Sequence, residues 1–139
     1  MPETPYGDTV GKAFRSAVAG AGGRLTDFVL YPPETGALSQ PVKTIAHYDA
    51  RQQALGELQA YRKTMAEGTG SEEELVRLAE RAAPPYQAIL LPEGAALLRV
   101  MAPLLPYYDV DPKKVQVLGT GLWNDPSLAR EPQLQGGWF

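Results

Sequence analysis

Two short apolar runs constrain this chain more than anything else in it. Ala88-Ile89-Leu90-Leu91 is continuous and closes on Pro92-Glu93-Gly94, and Val115 to Leu118 closes on Gly119-Thr120-Gly121. Runs of this length bounded by turn residues read as strands, and the unbroken first one suits a strand covered on both faces. Between them Leu97, Leu98, Met101, Leu104 and Leu105 recur at helical spacing. Strands joined through a helix lie parallel, with a right-handed crossover. A sheet built this way carries helices on its faces.

The remaining segments fit around that unit. Val10, Phe14, Val18 and Ala21 mark a helix over about Thr9 to Ala21, with Asp8 as its cap and Gly22-Gly23 as its stop. A strand is expected near Leu25 to Tyr31, closed by Pro32-Pro33. Ser39 opens a short helical turn through Pro41 to Ala46. Ala54, Leu55, Leu58, Tyr61 and Met65 define a longer helix from Asp49 to Ala66. Ser71 to Glu74 spells a capping box for a helix ending near Ala82. A short helix is expected around Pro126 to Arg130, and Gly136-Gly137-Trp138-Phe139 reads as the start of a further strand. The pattern predicts a single α/β lobe over residues 1–139: a flavodoxin-like, three-layer arrangement with a mostly parallel sheet. The first helix has no strand before it and the last strand is barely begun, so the lobe is expected to be incomplete.

Composition narrows the chemistry. The chain has no cysteine, which removes disulfides, iron–sulfur clusters and thiol catalysis. His47 is its one histidine, so no multi-histidine metal site exists. The net charge is −3 and the basic residues are scattered, unlike a nucleic-acid footprint. No apolar run approaches the roughly 18 residues of a membrane span, and the N-terminus has no secretory h-region. No nucleophile stands beside a base, so neither catalytic nor metal-binding residues are assigned, and no cofactor is expected. A nucleotide- or flavin-binding enzyme is the least supported reading, because Gly119-Thr120-Gly121 lacks both GxGxxG and a Walker lysine.

Ligands of open parallel sheets bind outside the carboxyl ends of the strands. Three tips fall there: Thr4 to Asp8, Pro92 to Gly94, and Gly119 to Asp125. The candidate cleft residues are Tyr6, Gly7, Glu93, Gly94, Thr120, Gly121 and Trp123. Glu93 can receive an ammonium group or simply favour a helix start in solvent. Trp123 can stack on a ligand or pack on its own lobe. Asp49 reads as a cap and Arg51 as an ion-pair partner. Asp109 and Asp111 read as a turn, since the glycine and glutamate of an EF-hand are missing.

The stretches "YQAILLPEGAALLRVMAPLLPYYDVD" and "VQVLGTGLWNDPSLAREPQLQGGWF", with "TIAHYDARQQAL" and the early "PYG", resemble the penicillin-binding protein activator family. That family is related to type I periplasmic binding proteins such as the branched-chain amino-acid receptors. The resemblance implies most of the second lobe of a two-lobed periplasmic, often lipid-anchored protein. It implies a non-enzymatic role in peptidoglycan synthesis through contact with a cell-wall synthase. It would place the tips at Tyr6-Gly7, Glu93-Gly94 and Thr120-Gly121 on one side of a cleft, and it leaves out the lobe's first strand, which in that family lies next to the strand ending at Tyr31. The alternative is a ligand-binding lobe of an importer's receptor for amino acids or similar small molecules.

Overall fold

A computed structural model describes residues 1–139. The order is α1 (Pro5–Gly20), α2 (Ser39–Ile45), α3 (Tyr48–Ala66), α4 (Glu72–Ala82), β1 (Ala88–Leu90), α5 (Ala95–Tyr107) and β2 (Gln116–Leu118), with 3-10 turns at Thr35–Ala37, Gly121–Trp123, Pro126–Leu128 and Pro132–Leu134. The protein is mixed α/β. β1 and β2 run parallel, with Ile89 opposite Val117, and α5 makes the connection. Trp138 adds one parallel bridge on the far side of Leu118.

The core lies between this small sheet and the helices against it. Leu98, Met101, Ala102 and Leu105 of α5 bury their face with Ile89, Leu91 and Val117, and Val42 of α2 closes the same cluster. The last turn of α5 is sealed by its backbone. Val110 N–H reaches Leu105 O at 2.8 Å and Asp109 N–H reaches Pro106 O at 3.0 Å. This is a Schellman motif with Asp109, at φ 57°, in the left-handed position that glycine usually fills. The stretch Asp109 to Lys113 is the expected turn, with Asp111 Oδ1 accepting from Lys113 N–H.

α3 and α4 form a helical hairpin with a smaller cluster of their own: Ala54, Leu58, Leu78 and Ala82. The capping box at its turn is half made. Ser71 Oγ accepts from Glu74 N–H, but the Glu74 carboxylate turns away to pair with Arg77. α1 begins earlier than the apolar stripe suggests. Thr4, not Asp8, is the cap, because Pro5 fits the first helical position and Thr4 Oγ1 takes Gly7 N–H at 3.0 Å.

Arg51 ties the hairpin to the rest. It is 5% exposed and makes no ion pair; it donates to Ala46 O at 2.8 Å, Ala82 O at 2.7 Å, Asp109 O at 2.6 Å and Tyr108 O at 3.4 Å. These carbonyls belong to the C-terminal ends of α2, α4 and α5. Three sets of orphan carbonyls, each at the negative end of a helix dipole, converge on one guanidinium. Burial still pulls the Arg51 pKa below its usual value, against the opposing charges of Tyr86 and Asp109. Asp49 is not a cap: His47, at φ 51°, precedes α3, and Asp49 pairs with Lys43 at 3.1 Å.

The strand expected at Leu25 to Tyr31 does not form. Only Tyr31 makes a bridge, to Pro2 in parallel. No backbone–backbone hydrogen bond engages Arg24 through Leu30; Val29 O accepts only from the Met1 amine. Phe28 and Asp27 nevertheless face opposite sides, as in a strand. Phe28 packs under α1, with the Arg15 guanidinium 3.9 Å above its ring. Asp27 turns the other way and meets His47 at 3.0 Å, at the α2–α3 corner. That contact lacks hydrogen-bond alignment, and neither atom has another partner. β1 is likewise less covered than its sequence suggests: Ala88 is exposed and Leu90 half-buried, since a groove adjoins them.

Candidate functional site

The three tips meet, as a parallel sheet requires, at the carboxyl ends of the strands. Tyr6, in the first turn of α1, hydrogen-bonds through its hydroxyl to Thr120 Oγ1, beyond β2, at 2.7 Å. The two residues are 114 positions apart in the chain. Between them in sequence, β1 runs out into Pro92 and Glu93, and Gly94 caps α5.

Glu93 is 7% exposed, so it is no solvated helix-start residue. Tyr31 Oη donates to its Oε1 at 2.7 Å. Burial first, and then this bond to a carboxylate, pushes the Tyr31 phenol far above its ordinary pKa, so it stays a donor. The Met1 amine lies in the same field. Burial lowers its pKa to about 6, outweighing the attraction of Glu93. The edge therefore holds one buried carboxylate with a phenol fixed on one of its oxygens, beside the N-terminus of α5.

The glycines divide into two kinds. Gly94 and Gly121 face open space and would accept a side chain. Gly7 does not: a Cβ there would run into the carbonyl oxygen of Pro2. Gly7 thus serves the close seating of α1 on the first residues of the chain. Gly119 is closed as well: a Cβ there would collide with the indole of Trp123.

Trp123 is 5% exposed, and its Nε1 donates to Leu91 O at 3.1 Å. Its ring lies against Gly119 and Gly137, with Phe139 6.2 Å away between centroids. Of the two roles open to it, the structure adopts packing: Trp123 locks the β2 tip to the end of β1. Thr120 caps the following turn, its Oγ1 accepting weakly from Leu122 N–H at 3.4 Å. Tyr6 (39%) and Leu122 (46%) stay exposed at this edge, both hydrogen-bonded to Thr120 Oγ1, and Phe139 beside Trp123 is exposed as well.

Tyr31 is the residue that sequence reasoning passed over. It stood at the end of an expected strand, and a strand end at this edge points its side chain at the neighbouring tip. Arg51 was also legible in part: it stands three, four and seven residues before Ala54, Leu55 and Leu58, on the apolar stripe. No three acidic or histidine side chains cluster to hold a metal ion. No helix is long and apolar enough to cross a membrane.

A cavity lies away from this edge. It is a groove of about 290 Å³ between the Arg24–Val29 stretch and β1, and it includes none of the candidate cleft residues. Comparison with protein-family models, curated proteins and solved structures returned no match for the chain.

Proposed function

We propose that this chain is a non-enzymatic binding module: a flavodoxin-like, three-layer lobe of the type I periplasmic-binding kind that acts through protein contacts at its carboxyl edge. In this reading the surroundings are the periplasm and the partner is a peptidoglycan synthase, as the resemblance to penicillin-binding protein activators implies. The observation that carries it is the exposure of Tyr6 and Leu122, which both hydrogen-bond to Thr120 Oγ1. Amphipathic tyrosine and an aliphatic neighbour on a braced edge are the material of a contact surface. The Trp123 anchor beneath holds that surface rigid.

The test is titration of purified peptidoglycan synthases with the chain, read by fluorescence anisotropy. Binding that drops at least tenfold in Leu122→Asp supports the reading. Absence of binding to every synthase tried sinks it.

One observation favours a second reading, a small-molecule receptor lobe. The buried Glu93 carboxylate keeps one oxygen free of Tyr31, beside the start of α5, and suits a ligand's ammonium group. Calorimetry with an amino-acid panel separates the two. Heat that disappears in Glu93→Gln favours the receptor; silence across the panel removes it.

A further inference from the structure

α5 is apolar all round. Of its 13 residues, Arg99 alone carries a charge. Leu98, Met101, Ala102 and Leu105 face the core. Ala96, Val100, Pro103 and Tyr107 recur at i, i+4, i+7 and i+11, and all four are exposed. That spacing lines them up along the side of the helix opposite the core. Leu97 and Leu104, half-buried, flank the stripe on one side. A surface helix ordinarily turns charged and polar residues outward, whereas one that is apolar on every side is normally covered.

The single charge does not interrupt the stripe. Arg99 is held along the surface by the 3-10 turns: its Nε pairs with Glu131 at 3.5 Å and its Nη2 donates to Ser127 O at 3.3 Å. Tyr107 is 71% exposed, yet its ring meets the edge of the Tyr108 ring at 4.9 Å. Tyr108 is itself buried and bonded through its hydroxyl to Ser39 Oγ at 2.6 Å. An aromatic side chain braced in this way has little freedom left to lose on contact. Pro103 is rigid by its ring.

The order of sizes along the stripe specifies the occupant. Ala96 and Tyr107 stand at equal distances from the point between Met101 and Ala102, and so do Val100 and Pro103. A second α5 laid antiparallel, across a two-fold axis at that point, sets Tyr107 of each copy over Ala96 of the other and Val100 against Pro103. The largest residue meets the smallest, twice. An isologous contact requires this pattern, one patch complementary to itself. In a parallel pairing Tyr107 would meet Tyr107, and the two Ala96 would face each other across a gap. The antiparallel arrangement also brings the positive end of each helix dipole beside the negative end of the other. Leu97 and Leu104 of both copies then lie on the same rim.

We propose that the outer face of α5 is a self-association surface: it takes a second copy of this chain, α5 against α5, antiparallel, with the two-fold axis between Met101 and Ala102. The helix is roughly 20 Å long. A face one helix wide buries less than the roughly 800 Å² per partner of a standard interface, so the dimer is weak and forms at high chain concentration. Gly94, at the start of α5, lies at the carboxyl edge. The antiparallel pair therefore turns the two carboxyl edges to opposite ends of the dimer. The surface is separate from Tyr6 and Leu122, so its failure leaves the binding-module reading untouched.

The experiment follows the full chain by sedimentation equilibrium from micromolar to millimolar concentration. The expected result is a monomer–dimer equilibrium that Val100→Glu weakens about tenfold or more, because the dimer would bury the new carboxylate twice. Val100 is exposed, so the dilute variant should unfold at the temperature of the unchanged chain. Leu122→Asp should leave the dimer as it is. The chain has no cysteine, so Pro106→Cys takes a single nitroxide label. Mixed with isotope-labelled unmodified chain, it should broaden the Ala96 amide of the other copy more than the Tyr107 amide. A monomer at millimolar concentration, a dimer untouched by Val100→Glu, or stronger broadening at Tyr107 than at Ala96 overturns the proposal. So does a chain that stays monomeric and loses synthase binding in Val100→Glu, which would assign the face to another protein.

Discussion

Leu25–Tyr31 and Ala88–Leu91 are similar stretches with different outcomes. Both are short, apolar and ended by proline. One becomes a strand and holds the centre of the molecule; the other stays without a ladder until its last residue. The difference lies in what stands beside each. β1 has β2 on one edge, α5 packed over it, and the Trp123 anchor at its end. Leu25–Leu30 faces a groove, and it is held by Met1, by α1 through Phe28 and by the Asp27–His47 contact rather than by a ladder. β-propensity is mostly a statement about neighbours, and these two segments show it within one chain.

The largest expected effect tests how the well-supported half is bound to the hairpin. Arg51→Ala leaves four carbonyls at three helix ends without their donor. Unsatisfied buried acceptors and a cavity together should cost about 3 kcal/mol or more, measured by urea unfolding. A loss below about 1 kcal/mol would mean that water replaces the guanidinium at no great cost.

Gly119→Ala strikes the Trp123 lock on β1 and β2. Overpacking there should cost about 2 kcal/mol, whereas Gly121→Ala, facing open space, should stay within about 0.5 kcal/mol. If the two variants unfold alike, the lock contributes nothing particular to this half.

Tyr31→Phe tests the weaker half, because the Tyr31–Glu93 bond ties the end of that segment to the end of β1. A hydrogen bond to a buried carboxylate is worth about 1.5 kcal/mol. Chemical-shift changes should gather at Met1 to Glu3 and Glu93 and leave the hairpin undisturbed.

The smallest effect is a pH dependence confined to the chain start. The Met1 amine titrates at about 6 in the fold against an ordinary 8.0. Between these values the unfolded chain binds more protons than the folded one, so stability rises with pH from about 6 to 8. The amine is partly solvated, which keeps the slope small. Acetylation of Met1 should flatten thermal-unfolding midpoints across that window; an unchanged slope would assign the dependence elsewhere.

Much of the fold could be read directly. The helices α3 and α4 lie within a residue or two of the expected bounds, and α5 spans the apolar positions that marked it, because each carries an apolar stripe and its own start or stop signal. β1 and β2 were visible as apolar runs, and the α/β class followed from the helix between them. The tips of the candidate site were also visible, since glycine and proline mark where parallel strands end.

Other features had no local signature. Whether Glu93 is solvated or buried depends on Tyr31, 62 positions away. Whether Trp123 is a contact residue or an anchor depends on Leu91 O and on the missing Cβ at Gly119. Arg51 on an apolar stripe reads as an ordinary charge until the ends of three helices are brought around it. By itself the sequence determined the periodic elements, their order and the parallel sense of the sheet, because those follow from interactions within a few residues. Only the tertiary structure decided which apolar stretch became a strand, which polar group was buried and which glycine was indispensable, because each of these depends on partners that the chain brings together from far apart.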